Sequence, residues 1–275
     1  MLQSGGFSNA DVIADMQHTK NSAHMWGVRN RVAFDPEKEH VVVLHPSHGE
    51  GELVKLLGCI IDPKMTMMPA IELIISRARP KVQALLRTRG IYKAADLIMQ
   101  YKTHILGLIE YHHGAILHVT PTAFARLDRL QASFLEEIHL TPEVAFLEHN
   151  FAPPILRRDI GILGFIHKRV LGHGHPALAV FLPFASSPSP WHSKPLESFV
   201  NEVIAHNNLY FRSIFGMVHV YSRLYQDLVD IPTVREFQKT LTQLARRRCA
   251  NGDPDWPLSF HSTSHLWETR RAMDS

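Results

Sequence analysis

Apolar residues along this chain keep two different rhythms, and the change from one to the other comes near Pro69. Upstream, Val12, Met16, Thr19, Ala23 and Trp26 follow at alternating steps of four and three, one face of a helix. Ser8 and Asp11 ahead of them have capping-box spacing, and Gly27 behind them can take the left-handed position that ends a helix. Residues 31–34 and 40–45 are β-branched-rich runs on either side of Asp35-Pro36-Glu37-Lys38, which has turn chemistry. Residues 53–61 form a third apolar run, closed by Asp62-Pro63. The pattern predicts one helix packed on a small antiparallel sheet.

Beyond Pro69 the rhythm is helical. Ile71, Ile74, Ala78, Val82 and Leu85 make a stripe in which Pro80 should place a kink and after which Gly90 stops the helix. Residues 93–117 are apolar on most faces, as in a helix buried in a bundle. Thr120-Pro121 and Thr141-Pro142 each read as an N-cap followed by proline at the first helical position. A further helix over 151–172, led by Pro153-Pro154, carries Arg157, Arg158, Lys168 and Arg169. Residues 185–190, Ala-Ser-Ser-Pro-Ser-Pro, read as a linker; 196–228 and 233–248 are helical by pattern. The tail lacks periodicity and is expected to be disordered or loosely docked. The fold class is α+β, mainly α. The expected segments are 1–62, 63–150, 151–184, a linker at 185–195, 196–248, and a tail at 249–275.

Composition narrows the function little. Of 275 residues 45% are hydrophobic and 20% charged, an ordinary globular balance. A formal net charge of +3 permits a nucleic-acid partner without implying one. Two distant cysteines, Cys59 and Cys249, form neither a disulfide framework nor a thiolate metal site, and no signal peptide is visible, so an intracellular setting is expected. No apolar run approaches the roughly 18 residues of a membrane span, so no membrane partner is expected.

Nineteen histidines invite a metal site, yet His112-His113 would point about 100° apart on a helix, and no acid or thiol stands beside His173 and His175. Glu136-Glu137 reads as a solvated helix face, and Cys59 as core. No phosphate-binding glycine loop, nucleophile elbow or zinc-protease motif occurs. The basic residues are more informative. Arg77, Arg79, Lys81, Arg87 and Arg89 come with no acid among them, mostly off the apolar stripe and so open to phosphates. Arg246-Arg247-Arg248 fits compensation of a helix dipole equally well.

The order of these features resembles a known family. Trp26-Gly27, then Phe34-Asp35-Pro36-Glu37-Lys38-Glu39, Val41-Val42-Val43-Leu44 and Lys55-Leu56-Leu57-Gly58-Cys59-Ile60-Ile61-Asp62 resemble the end of the palm in non-LTR (LINE-type) retrotransposon reverse transcriptases. Pro63-Lys64-Met65-Thr66 looks like the family's entry into the thumb, and Arg79-Pro80-Lys81 is similar to its basic first thumb helix. Pro154-Ile155-Leu156-Arg157-Arg158-Asp159 resembles the arginine-led helix beyond the thumb. Val220-Tyr221-Ser222-Arg223-Leu224, followed by Val234-Arg235-Glu236-Phe237-Gln238-Lys239, looks like the C-terminal signature. The likeness covers residues 10–248. It departs from the family at Glu39 (threonine there), Leu56 (tyrosine), and Ser222 and Tyr225 (asparagine and proline). The family's Ala-Asp-Asp turn and its partner aspartate should precede Asp11, and Met1–Ala10 carry no acid.

The resemblance implies a palm remnant over 1–62 and a thumb-like helical domain over 63–150. Lys38 matches the family's motif lysine, and Leu57 and Gly58 its primer-grip strand. Lys64, Arg77, Arg79, Lys81, Arg87 and Arg89 would face the backbone of an RNA template and DNA primer, without sequence preference. The intact family enzyme uses Mg²⁺, two ions held by carboxylates, and losing those ligands leaves essentially no rate. Asp11 and Asp15 share one helix at i, i+4, the wrong setting for that turn. The expectation is a reverse-transcriptase fragment, nuclear or cytoplasmic, inactive alone, with residual backbone binding and no metal of its own. The alternatives are a non-catalytic helical RNA- or protein-binding protein, and an upstream extension that supplies the acidic turn. A palm cut through its sheet should expose a strand edge and dissolve poorly.

Overall fold

The computed structural model describes residues 8–111, 114–186, 193, 195–197 and 208–262. The chain forms two compact units, Met1–Leu73 and Ile74–Ser275. The described residues are mainly α with one two-stranded antiparallel sheet, the class read from the sequence.

In the first unit, α1 (Asn9–Arg29) starts as the spacing predicts: Ser8 and Asp11 exchange both bonds of a capping box. It runs past Gly27 to a cap at Asn30. Gly27 is needed for space instead, since a Cβ there would stand 2.6 Å from the Phe34 ring and 2.8 Å from the Val32 carbonyl. The expected strand at 31–34 does not form. Arg31 takes a left-handed φ of 56°, and Val32 N–H bonds back to the Gly27 carbonyl at 2.8 Å, so the chain folds onto the helix end. Of the expected strand at 40–45, only Val43 pairs, in an isolated bridge with Glu50. β-propensity without a partner strand yields no sheet. The stripe from Val12 to Trp26 is helical but exposed, not packed on a sheet.

The third apolar run is a hairpin and not a single strand. β1 (Val54–Leu56) pairs with β2 (Cys59–Ile61) in the register Val54↔Ile61, Lys55↔Ile60 and Leu56↔Cys59. Asp62 then governs the exit: its carboxylate accepts from Thr66 N–H and Oγ at 2.9 Å and from Met67 N–H at 2.6 Å. That grip holds Met65 and Met67 at positive φ, 54° and 59°, and sets up α2 (Met68–Leu86).

Helix α2 passes from the first unit into the second and continues through Pro80, with Ile71, Ile74, Ala78 and Val82 buried. The 93–117 run begins as α3 (Ala94–Tyr101), widens into a π turn (Lys102–Leu106) and ends as α4 (Gly107–Glu110). The extra residue per turn rotates the helix so that Ile105, Leu106 and Ile109 stay buried in succession to Leu97, Ile98 and Tyr101. Thr120 and Thr141 cap α5 (Pro121–Glu137) and α6 (Pro142–His149), and α7 (Pro154–Val170) follows Pro153, all as read from the sequence.

After the short α8 (Leu178–Phe181), Phe184 and Leu196 form an antiparallel bridge. Ala185 N–H bonds to the Pro195 carbonyl at 2.8 Å and Glu197 N–H to the Pro183 carbonyl at 2.9 Å. The expected linker is therefore pinned at both ends, and the segments before and after it share one core containing Leu163, Leu182, Leu196, Met217 and Leu241. The helical pattern of 196–228 resolves into α9 (Asn208–Arg212), α10 (Ile214–Tyr221) and α11 (Gln226–Val229); residues 198–207 lie outside the described residues. Gly216 permits the tight break between α9 and α10, since a Cβ would meet the Phe211 carbonyl oxygen at 2.4 Å.

Thr233 caps α12 (Val234–Ala250), which packs on α7 and α6. The expected loose tail is corrected over residues 251–262: Trp256, Ser259 and Phe260 are buried, with a 3-10 turn at Trp256–Leu258. Two large aromatic side chains four residues apart bury enough apolar area to dock a segment that lacks helical periodicity. Among the described residues, no helix is long and apolar enough to cross a membrane.

Candidate nucleic-acid interface

The residues singled out by sequence fall into the two units. In the first, Lys38 ends a 3-10 turn, is 83% exposed, and pairs with Asp35 at 3.1 Å. Next to it, Glu39 joins Lys20 (2.5 Å) and His24 (2.6 Å) of α1. The Lys20 bond, with His24 adding to it, holds the Glu39 carboxyl below its ordinary range. Leu57 and Gly58 do not sit on a strand. They are the two-residue turn between β1 and β2, with φ of 49° and 84°, the positive pair that a type I′ hairpin requires. The Leu57 side chain at that tip is 86% exposed. Lys64 is exposed beside the Asp62 turn.

In the second unit, Arg77, Arg79 and Lys81 are exposed on α2, and Arg87 and Arg89 on the turn that follows it. Helical geometry puts Arg77 and Lys81 about 40° apart on one flank of the buried stripe and Arg79 about 160° from Arg77 on the other. The cluster, contiguous in sequence, is thus divided over two flanks. Arg77, Arg79, Lys81 and Arg87 make no side-chain bond with any described residue. Arg89 donates to the Leu86 carbonyl (3.2 Å) and lies 3.7 Å from Glu137. At the end of α12, Arg246 is spent on the Phe146 and Leu147 carbonyls and Arg248 on Asp253.

Sequence reasoning missed a buried ion network on α5, α7 and the C-terminal segment. Asp159 is fully buried; Oδ1 accepts from Arg158 Nε (2.9 Å), and Oδ2 lies 3.2 Å from His261 Nδ1. Arg158 Nη2 is 3.3 Å from the same ring nitrogen and its guanidinium lies 4.5 Å from the centre of the Phe124 ring. Nδ1 either donates to Asp159 or accepts from Arg158, so one imidazole can be held in either tautomer. Asp128 completes the group at a cavity of about 110 Å³ lined also by Ile155, Ile162 and Met217. Burial raises its carboxyl to about 6 against the opposing Ile155 N–H bond. His261 lies more than a hundred residues from Arg158, and no local spacing could have signalled the pair. The groups engage one another and clamp the C-terminal segment.

His167 is likewise structural. Its Nε2–H donates to the Ile231 carbonyl (2.8 Å), Nδ1 meets Tyr221 OH (2.8 Å), and the ring stacks on Phe237 at 4.1 Å. Burial lowers its pKa.

Asp11 and Asp15, the acids nearest the start of the described chain, are not arranged as a pair of metal ligands. The Asp11 carboxylate is consumed by the Ser8 N–H (3.0 Å) and hydroxyl (2.8 Å), and Asp15 stands one turn further on the same helix. Among the described residues no group of three His, Cys, Asp or Glu side chains could hold a metal ion. His112 and His113 lie outside the described residues; His175 is exposed and caps the Ala177 N–H. Among the described residues, Arg77, Arg79, Lys81 and Arg87 stand exposed without a side-chain partner. No family model, curated protein or solved structure matches the chain.

Proposed function

We propose that this chain binds the phosphate backbone of nucleic acid through α2 and the turn after it, without sequence preference and without catalysing synthesis. The observation that carries the reading is that Arg77, Arg79 and Lys81 on α2, and Arg87 on the turn after it, are exposed with no side-chain partner among the described residues, while the buried stripe of α2 is anchored in the core. An exposed cation with no protein acid beside it keeps its full attraction for phosphate, and its counterions are released on binding. The resemblance to the palm end and thumb of LINE-type reverse transcriptases agrees with this role; on that reading the chain is a fragment of an RNA-directed DNA polymerase, inactive alone. Its Ala-Asp-Asp turn has no counterpart, and Asp11 is committed to a helix cap.

Binding of the purified chain to a primer–template duplex, titrated with salt, tests the reading. Affinity should fall steeply with salt, and the log–log slope should shrink by about one for each of Arg77, Arg79 and Lys81 replaced by alanine. Salt-indifferent binding, or none, sinks the reading. Primer extension with Mg²⁺ or Mn²⁺ above a heat-killed control sinks the claim of inactivity.

A second reading, a protein-binding module, is favoured by one observation: Val12, Met16 and Trp26 of α1 are exposed along with Phe34 and Leu44. Apolar surface of this kind marks interaction sites.

A further inference from the structure

The turn joining α2 to α3 reads Arg87-Thr88-Arg89-Gly90-Ile91-Tyr92-Lys93 and contains no acid. Its backbone is firmly bonded. Thr88 and Arg89 N–H groups close the end of α2 on the Leu85 and Leu86 carbonyls at 3.0 and 3.2 Å, and the Thr88 hydroxyl adds a 2.7 Å bond to Leu85. The Thr88 carbonyl then accepts from both Ile91 (2.9 Å) and Tyr92 (3.1 Å). This fixed turn turns its apolar side chains outward: Ile91 is 81% and Tyr92 50% exposed. A tyrosine normally buries its ring and bonds its hydroxyl. Here the ring stacks on no described residue and the hydroxyl has no described partner, while Arg87 and Lys93 on either side are exposed and unpaired.

An exposed aromatic ring carried on a hydrogen-bonded turn between cations has a specific complement, a polyanion that itself carries flat apolar faces. A folded protein's acidic surface supplies the charge but not the faces, and duplex backbone supplies the charge with its bases stacked away. Unpaired nucleotides supply both, because every base has a π-face and its phosphates are only a sugar away. We infer that the α2–α3 turn is a stacking platform for single-stranded nucleic acid, with Tyr92 under an unpaired base and Arg87 and Lys93 on the flanking phosphates. This rests on the backbone-binding reading and narrows it: the ligand is a duplex carrying a single-stranded overhang, not a blunt duplex. Because the backbone of the turn is already hydrogen-bonded, little backbone entropy is lost when a base lands on it.

The test is fluorescence anisotropy with the full chain and two labelled probes at one fixed salt concentration, a blunt duplex and the same duplex with a single-stranded 5′ extension. Wild type should prefer the extended probe. Tyr92→Ala should remove about 5- to 150-fold of affinity for the extended probe and leave the blunt one unchanged, the range expected for one base–aromatic stack. Tyr92→Phe should retain the preference, which separates stacking from loss of the hydroxyl or of folding. If Tyr92→Ala leaves the preference intact while alanines at Arg77, Arg79 and Lys81 weaken both probes, the platform is overturned and the backbone-binding reading stands. If neither probe binds wild type, both fall.

Discussion

The indole of Trp256 lies flat on the ring of Phe146, centroids 4.8 Å apart and planes 8° from parallel. The guanidinium of Arg246 stands over the Phe146 ring at 5.8 Å. One stack thus joins α6, α12 and the segment after α12. Trp256→Ala should cost about 3–5 kcal/mol, as for other buried aromatic truncations. Chemical denaturation followed by far-UV circular dichroism measures it; a loss under 1 kcal/mol would show that the segment is docked only superficially.

Leu57 occupies a backbone position that suits asparagine or glycine, next to Gly58 in a hairpin turn with both φ positive. A left-handed L-residue costs roughly 1–2 kcal/mol. Since the Leu57 side chain is almost wholly exposed, Leu57→Asn gives up little packing and should stabilise the first unit by about 1 kcal/mol. A lower midpoint of unfolding for that unit would contradict this.

Asp128 should make stability fall as pH rises. Its carboxyl titrates at about 6 when folded, against 3.8 for a free side chain. Below both values each state is protonated and nothing is lost. Between them the folded chain keeps a proton that the unfolded chain has released, so each step up in pH favours unfolding until about 6, where the effect levels off. The full span is on the order of 2–3 kcal/mol. Asp128→Asn, which can still accept the Ile155 N–H, should raise the urea midpoint at pH 8 and change it little at pH 4. His167, lowered by burial, slopes the opposite way below its ordinary value of 6.5, but equally in both proteins. The difference between variant and wild type therefore isolates Asp128; a flat difference across pH would refute the assignment.

Each unit holds one buried thiol, Cys59 in the first and Cys249 in the second, both with pKa raised by burial. The first unit buries few apolar side chains, among them Met67, Ala70 and Ile71, whereas the second holds a large continuous core. Pulse alkylation across a urea series, read by mass spectrometry, should therefore modify Cys59 at lower urea than Cys249. Simultaneous modification would mean that the two units unfold as one.

The chain's helices were largely legible because their starts are local. Ser8, Thr120, Thr141 and Thr233 act through a hydrogen bond spanning three residues, which spacing reveals directly. The hairpin was misread as one strand because Leu57 is a poor turn residue, and only the geometry shows the chain reversing there. The runs at 31–34 and 40–45 have strand composition, but pairing depends on partners that local pattern does not specify. The π turn at Lys102–Leu106 leaves no compositional trace. Arg77, Arg79 and Lys81 were correctly expected at the surface, while their division between two flanks follows from helical phase. Tyr92 carries no local signal, since a tyrosine in sequence suits a core as well as a surface and only the fold sets its exposure.

The hydrogen bonds that tie Ala185 to Pro195 and Glu197 to Pro183 have a practical consequence for anyone handling this protein. With Pro183–Ala185 and Pro195–Glu197 held together by these bonds, extra chain spliced between them costs only the slow logarithm of added length. A fluorescent reporter or affinity tag inserted after Ser186 should leave the bridge between Phe184 and Leu196 closed, at most releasing Ser193 from Gln226, and gives the chain a handle distant in sequence from the cations of α2.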